Sequence, residues 1–282
     1  MKATLIRSLL FIASLVGACG ACLGSTLYSS GFLSSQSNDP PESFFTINQN
    51  TGDASPFDMR GPGVGNLASD WRPDSFRVWG ISDQRFLWRL NLLEGTASQV
   101  GGFSVPGITG IAFDITTGRL FAASRTNLYL ADLTTNTGLV PLSLVGNTGG
   151  LGISALGFDG AGNLFGVDNS RAALIKIDTA TGAAQTIAVN PVFINMTDVA
   201  ARPEDGVMFG VTAKLQPGED DSLYQINTTT GTATLIGPDF SLPQPYPDFY
   251  GVAFSPAVPE PSTLALAVLG LAAVSIHCCA AK

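Results

Sequence analysis

The stretch GRLFAASRTNLYLADLTTNTG, Gly118 to Gly138, reads as two short strands and a turn. Arg119 to Ala123 forms the first strand around Leu120 and Phe121. Ser124-Arg125-Thr126 makes a polar loop, and Asn127 to Asp132 the second strand, with Leu128 and Leu130 among its β-favouring residues. Thr-Asn-Thr-Gly closes the unit, because glycine readily takes the positive φ that a tight turn demands. That glycine recurs at Gly52, Gly95, Gly138, Gly182 and Gly231, at intervals of 43, 43, 44 and 49 residues. A repeat of this length is near that of one propeller blade.

Working outward, the body lays out as five copies of four strands. Innermost strands end near Trp71, Phe113, Phe158, Ala201 and Phe254, as in GIAFD (110–114), ALGFD (155–159) and GVAFS (251–255). Second strands carry Val78-Trp79, Leu120-Phe121, Leu164-Phe165 and Met208-Phe209, and third strands read FLWRLN (86–91), NLYLAD (127–132), ALIKID (173–178) and SLYQIN (222–227). A fourth follows each glycine turn, as in ASQVG (97–101) and ATLIG (233–237). The last innermost strand, 251–255, has no successor, whereas Thr26-Leu27-Tyr28 and Ser43 to Asn48 are spare at the start. If the N-terminal strand completes the blade begun at the C-terminus, both raw edges disappear, as sheet proteins require. The expected fold is therefore all-β: a closed propeller of five blades, each of four antiparallel strands. Gly31 to Glu42 and Lys214 to Asp221 read as long loops at the same point of two copies.

The composition narrows the function classes. Residues 25–257 hold 21 acids and 11 bases, a net charge of −10, which is unsuited to nucleic acid. All four cysteines (Cys19, Cys22, Cys278, Cys279) and the single histidine, His277, lie in the terminal segments. The body thus has no thiolate nucleophile, imidazole base, disulfide or Cys/His zinc site.

The two ends carry targeting signals. Residues 1–24, with Lys2 and Arg7 ahead of an apolar run from Leu9 to Val16, read as a secretory signal peptide. Val16 to Cys19 resembles a lipoprotein box, which would lipidate Cys19; ordinary cleavage between Cys22 and Ser25 is the other reading. At the far end, Val258-Pro259-Glu260-Pro261-Ser262-Thr263 precedes the apolar run Leu264 to Ile276. Residues 258–282 resemble the PEP-CTERM sorting signal of bacterial exported proteins, with Pro259, Glu260 and Pro261 as the motif. The resemblance implies an apolar helix that holds the precursor in the membrane until an exosortase cuts near the motif. That family usually ends in an arginine cluster; here the end is HCCAAK, with Lys282 alone. Thr263 to Ala281 is just long enough to span a bilayer.

Candidate chemistry within the body is sparse. Asp114, Asp132, Asp159, Asp178 and Asp198 recur at strand ends, where a carboxylate accepts turn N–H groups. No cofactor is expected, although Glu219-Asp220-Asp221 or Asp168-Asn169 offers oxygen ligands to calcium. One pattern suggests a ligand: Arg85, Arg125, Arg171 and Lys214 place one cation in the loop between second and third strands of four copies. In a closed ring they would stand on one rim and could attract an acidic polysaccharide. Asp83, Asp168 and Asp221 are near enough in sequence to pair with three of them. The resulting expectation is an exported, cell-surface or matrix-associated propeller that binds or scaffolds without catalysis. The alternative is a secreted propeller lyase or hydrolase working through carboxylates or a bound metal.

Overall fold

A computed structural model describes residues 24–33, 42–57, 59, 63–70, 77–135, 137–149, 152–213, 221–237 and 247–255. The signal peptide before Gly24, Lys214, the motif Pro259-Glu260-Pro261 and the apolar run that follows it lie outside these residues. Among the described residues, no helix is long and apolar enough to cross a membrane.

The chain begins with β1 (Thr26–Leu33), β2 (Glu42–Ile47) and β3 (Ala54–Phe57). The first complete blade follows: β4 (Gly65–Asp70), β5 (Arg77–Ser82), β6 (Phe86–Asn91) and β7 (Thr96–Phe103). The second holds β8 (Ile108–Asp114), β9 (Arg119–Ser124) and β10 (Asn127–Ala131), then the short β11 (Leu139–Val140) and the outer strand β12 (Leu142–Asn147). The third is β13 (Ile153–Phe158), β14 (Leu164–Asp168), β15 (Ala173–Ile177) and β16 (Ala184–Val189). A 3₁₀ turn, Pro191–Ile194, leads to the fourth: β17 (Met196–Ala201), β18 (Met208–Thr212), β19 (Leu223–Ile226) and β20 (Ala233–Leu235). Finally β21 (Pro247–Ser255) returns to the start, giving the sheet order β21-β1-β2-β3. Thr26 pairs with Ser255 and Tyr28 with Ala253, so the ends of the body share one blade. The five-bladed closed propeller expected from the repeat is the observed fold.

Blade packing explains the sequence pattern. Each blade buries both faces against its neighbours, so its second strand reads as an unbroken apolar run rather than an alternating one; β14 and β18 are buried along their whole length. Outer strands such as β16 and β20 are largely exposed. Five apolar clusters result, one per blade interface. The one between the closing and first blades unites Phe44 and Ala253 with Val64, Leu67, Val78 and Leu90. At three interfaces a second-strand aromatic meets an inner-strand aromatic of the next blade: Trp79 with Phe113, Phe121 with Phe158, and Phe209 with Phe254, at centroid distances of 6.3, 5.7 and 5.5 Å. Such pairs add about 0.5–1.5 kcal/mol beyond their buried area.

The recurring glycine has two duties. It takes positive φ, 75° at Gly182 for example, in a turn opened by Asn or Asp at the end of the third strand. Asn48, Asn91, Asp132, Asp178 and Asn227 each accept the N–H two residues on, at 2.8–3.1 Å. At three of the turns the glycine also meets the blade before it: Gly182 abuts Gly146, Gly231 abuts Ala188 and Gly52 abuts Gly237, whereas at the Gly138 turn the crowded position is Gly101, whose added Cβ would meet the Gly138 carbonyl.

Two features depart from the expected layout. β1 continues through Leu33, so Gly31 to Leu33 belong to a strand and not to the loop expected from Gly31; pairing with Phe249 to Pro247 on the lengthened β21 holds them. Leu139–Val140 runs parallel to β7 of the first blade instead of starting an outer strand of its own. The reason is the two-residue excess between Asp132 and Gly138 over the other copies, which lets the segment reach its neighbour.

Candidate functional site

The centre of the ring is built from one repeated irregularity. Each inner strand carries a bulge at the same place, with Asn66, Thr109, Ser154, Thr197 and Tyr250 as the extra residues. A bulge re-aims its extra side chain, and here the side chains join one blade to another. Thr109 Oγ1 donates to the Ile153 carbonyl (2.6 Å) and Thr197 Oγ1 to the Phe249 carbonyl (3.0 Å), each on the next blade. Ser154 Oγ lies 2.7 Å from Asn169 Oδ1 and 3.3 Å from the Met196 carbonyl. Asn66 reaches farther: its Nδ2 donates to the carbonyls of Ser154 (3.0 Å) and Thr197 (2.8 Å), on the third and fourth blades.

Beyond the bulges, toward the glycine-turn end, lies a small cavity of about 30 Å³ lined by Ser69, Ala112, Gly157 and Ala200 and by Phe113 and Phe158, with Asp159 at its edge.

The acids divide into two kinds. Asp114, Asp132, Asp159 and Asp178 accept turn N–H groups, as expected of strand-end carboxylates. Hydroxyl and N–H donors from Thr116 and Thr117 hold Asp114 below the usual carboxylate range against a partial burial that opposes them, and Thr134 does the same for the exposed Asp132. Asp198 is a different case and corrects the sequence reading. It lies within an inner strand, next to the bulge, and is completely buried. The missed signal was its column: Leu67, Gly110, Ala155 and Gly251 occupy the same place in the other inner strands.

Of the four cations, three fall within the described residues, and Lys214 does not. Arg85, Arg125 and Arg171 are exposed, in the turns β5–β6, β9–β10 and β14–β15. They are not alike. The Arg85 guanidinium lies 5.7 Å from the Phe86 ring centroid. Arg171 Nε is 3.8 Å from Asp168 Oδ2, and Asp168 is buried behind it, its Oδ1 taking N–H bonds from Gly152 and Ser170. The local Arg171–Asp168 pairing read from the sequence is therefore present. Asp168 and Asn169, the oxygen pair considered for calcium, are engaged with these backbone donors and with Ser154. Among the described residues, no group of three His, Cys, Asp or Glu side chains converges.

Comparison with known proteins adds fold at one end of the scale and a sorting signal at the other. A chain in the crystal structure of a nidogen/laminin complex is 14% identical, with a TM-score of 0.51 over 82% of this chain and 98% of that one. At such identity the likeness is one of fold. TolB from Acinetobacter baumannii is 12% identical, with a TM-score of 0.49 over 76% of this chain and 53% of that one; the chain spans about half the length of the TolB chain it matches. No curated protein matches the sequence. Residues 257–277, in contrast, match the PEP-CTERM protein-sorting motif, and with it the chain is an exported, envelope-sorted protein whose body is a five-bladed β-propeller.

Proposed function

We propose that this protein is a non-catalytic binding or scaffold propeller of the cell surface or extracellular matrix. The observation that carries the reading is the use of the channel side chains. Asn66, Thr109, Ser154 and Thr197 are engaged in bonds between blades, so they serve the ring's integrity. We assign ligand contact instead to the rim, where Arg85, Arg125 and Arg171 are exposed in equivalent turns and Lys214 takes the same place in the sequence of the fourth copy, on a body of net charge −10. An acidic polysaccharide is the partner whose chemistry suits that rim.

Replacing Arg85, Arg125 and Lys214 with Gln is expected to weaken binding of an anionic glycan severely. The stability cost should stay near 0.5 kcal/mol per site, as for ordinary surface changes. Adding Arg171→Gln should remove the residual binding and also lower stability, because it strips a buried carboxylate of its cation. Binding by the parent should weaken with salt, since screening shortens to about 8 Å at physiological strength. Titration of the purified body with an anionic and a neutral glycan checks this; equal binding of both by parent and variant would refute the rim.

Sorting is tested separately. With Pro259, Glu260 and Pro261 replaced by Ala, the precursor is expected to stay in the membrane fraction, heavier by the uncut tail. An unchanged mature mass in the native host would contradict processing at this motif.

A further inference from the structure

Asp198 is the one place where an inner strand puts a carboxyl in the column that otherwise holds Leu67, Gly110, Ala155 and Gly251. Its Oδ2 accepts the Leu67 N–H at 2.6 Å and the Val252 N–H at 2.9 Å. Those donors belong to β4 of the first blade and β21 of the closing blade, while Asp198 belongs to β17 of the fourth. One oxygen thus joins three blades, among them the closing blade that both ends of the body build. Inner strands have no further strand on their channel side, so Leu67 and Val252 present N–H groups there that only a side chain or water can meet. The other oxygen, Oδ1, is buried without a hydrogen-bond partner.

Among the described strands packed against β17, no cation offsets a negative charge at this site. Strands β4, β13, β14, β18 and β21 pack against β17. Their titratable residues are Asp70 on β4, Asp168 on β14, and Asp248 and Tyr250 on β21, and none of the five carries Lys, Arg or His. We propose that Asp198 is a pH-sensitive lock on ring closure, binding the first and closing blades to the fourth through one carboxyl oxygen and releasing its hold as the pH rises.

The physical argument runs through Oδ1. An ionised carboxylate with one unpartnered oxygen, wholly buried, is strongly disfavoured. With a proton on Oδ1, the group is neutral and Oδ2 remains an acceptor for both N–H groups. Burial accordingly pushes the Asp198 carboxyl well above the usual carboxylate range, and the Leu67 and Val252 N–H groups draw it back only in part. The sign follows from linkage. A group whose folded value is raised gives its full stabilisation below the unfolded value, about 3.9. That stabilisation declines as the pH climbs toward the raised folded value.

The test compares urea unfolding of the parent, Asp198→Asn and Asp198→Ala, all without the signal peptide, between about pH 4 and pH 9. Asn retains an acceptor for Leu67 and Val252 but does not titrate. The parent should lose stability relative to Asn as the pH rises, tenfold in the folding equilibrium for each unit separating folded and unfolded values. Ala should be the least stable of the three in acid, having lost both bonds. Parallel parent and Asn curves across the range would overturn the proposal. So would an Ala variant as stable as the parent in acid. If the Asn variant fails to fold, the infrared carbonyl band of the parent decides: a protonated carboxyl band persisting at neutral pH is expected, and its absence overturns the lock.

Discussion

Removal of Thr26–Leu33 from the body is expected to abolish cooperative unfolding and drive the protein to aggregate. This strand lies between β21 and β2, paired with both along its length, and buries Leu27 completely. Without it the closing blade loses its second strand, β21 and β2 each expose an edge, and the cluster formed by Leu27, Phe45, Phe209 and Phe254 is opened. Such domains hold only about 5–15 kcal/mol in total, and exposed edges are templates for association. Calorimetry and light scattering check this. A truncated chain that melts as sharply and as late as the parent would show that the ring does not close through β1.

The second large effect is expected at Gly182. Alanine there must accept a φ of 75°, and its Cβ would stand 2.7 Å from the backbone of Gly146 on the neighbouring blade. The conformation costs about 1–2 kcal/mol for a residue with a Cβ, and forced overpacking about 1–3 kcal/mol more. Gly162 supplies the control. Its φ is 79°, but an added Cβ would meet nothing within 4 Å. Gly162→Ala should therefore lose the conformational part alone, and the difference between the two variants in urea midpoints measures the contact between blades. Equal losses would mean that the repeated glycine serves only its turn.

Much of this architecture was legible because a repeat states the same constraint several times. The glycine spacing, the paired hydrophobics Val78-Trp79 and Leu120-Phe121, and the orphan strands at both ends identify blade number and closure before any contact is known. What stayed hidden depends on contacts between copies. Gly146 opens the glycine-rich run GNTGGLG, yet it is a strand residue whose Cβ would overlap the Thr181 carbonyl. Asp198 reads as one more strand-end acid, yet it directly follows the bulge, four residues short of the place that Asp114 and Asp159 take in their strands. Of the cations, the sequence places Arg85, Arg125 and Arg171 in equivalent turns, and the nearness of Asp168 anticipates its pairing with Arg171. It does not reveal that Asp168 is wholly buried, because burial there comes from the loop that brings in Gly152.

Ring closure is tested most directly by native-state hydrogen exchange on the intact protein, read at residues 26–33. In a closed ring β1 has a hydrogen-bonded neighbour on each side, so its amides, whichever way they point, should exchange as slowly as those of the buried strands β14 and β18. If β21 were not its partner, the amides facing that side would meet water. Rapid exchange at alternate residues of β1, with slow exchange at those facing β2, would contradict a propeller closed through its two ends.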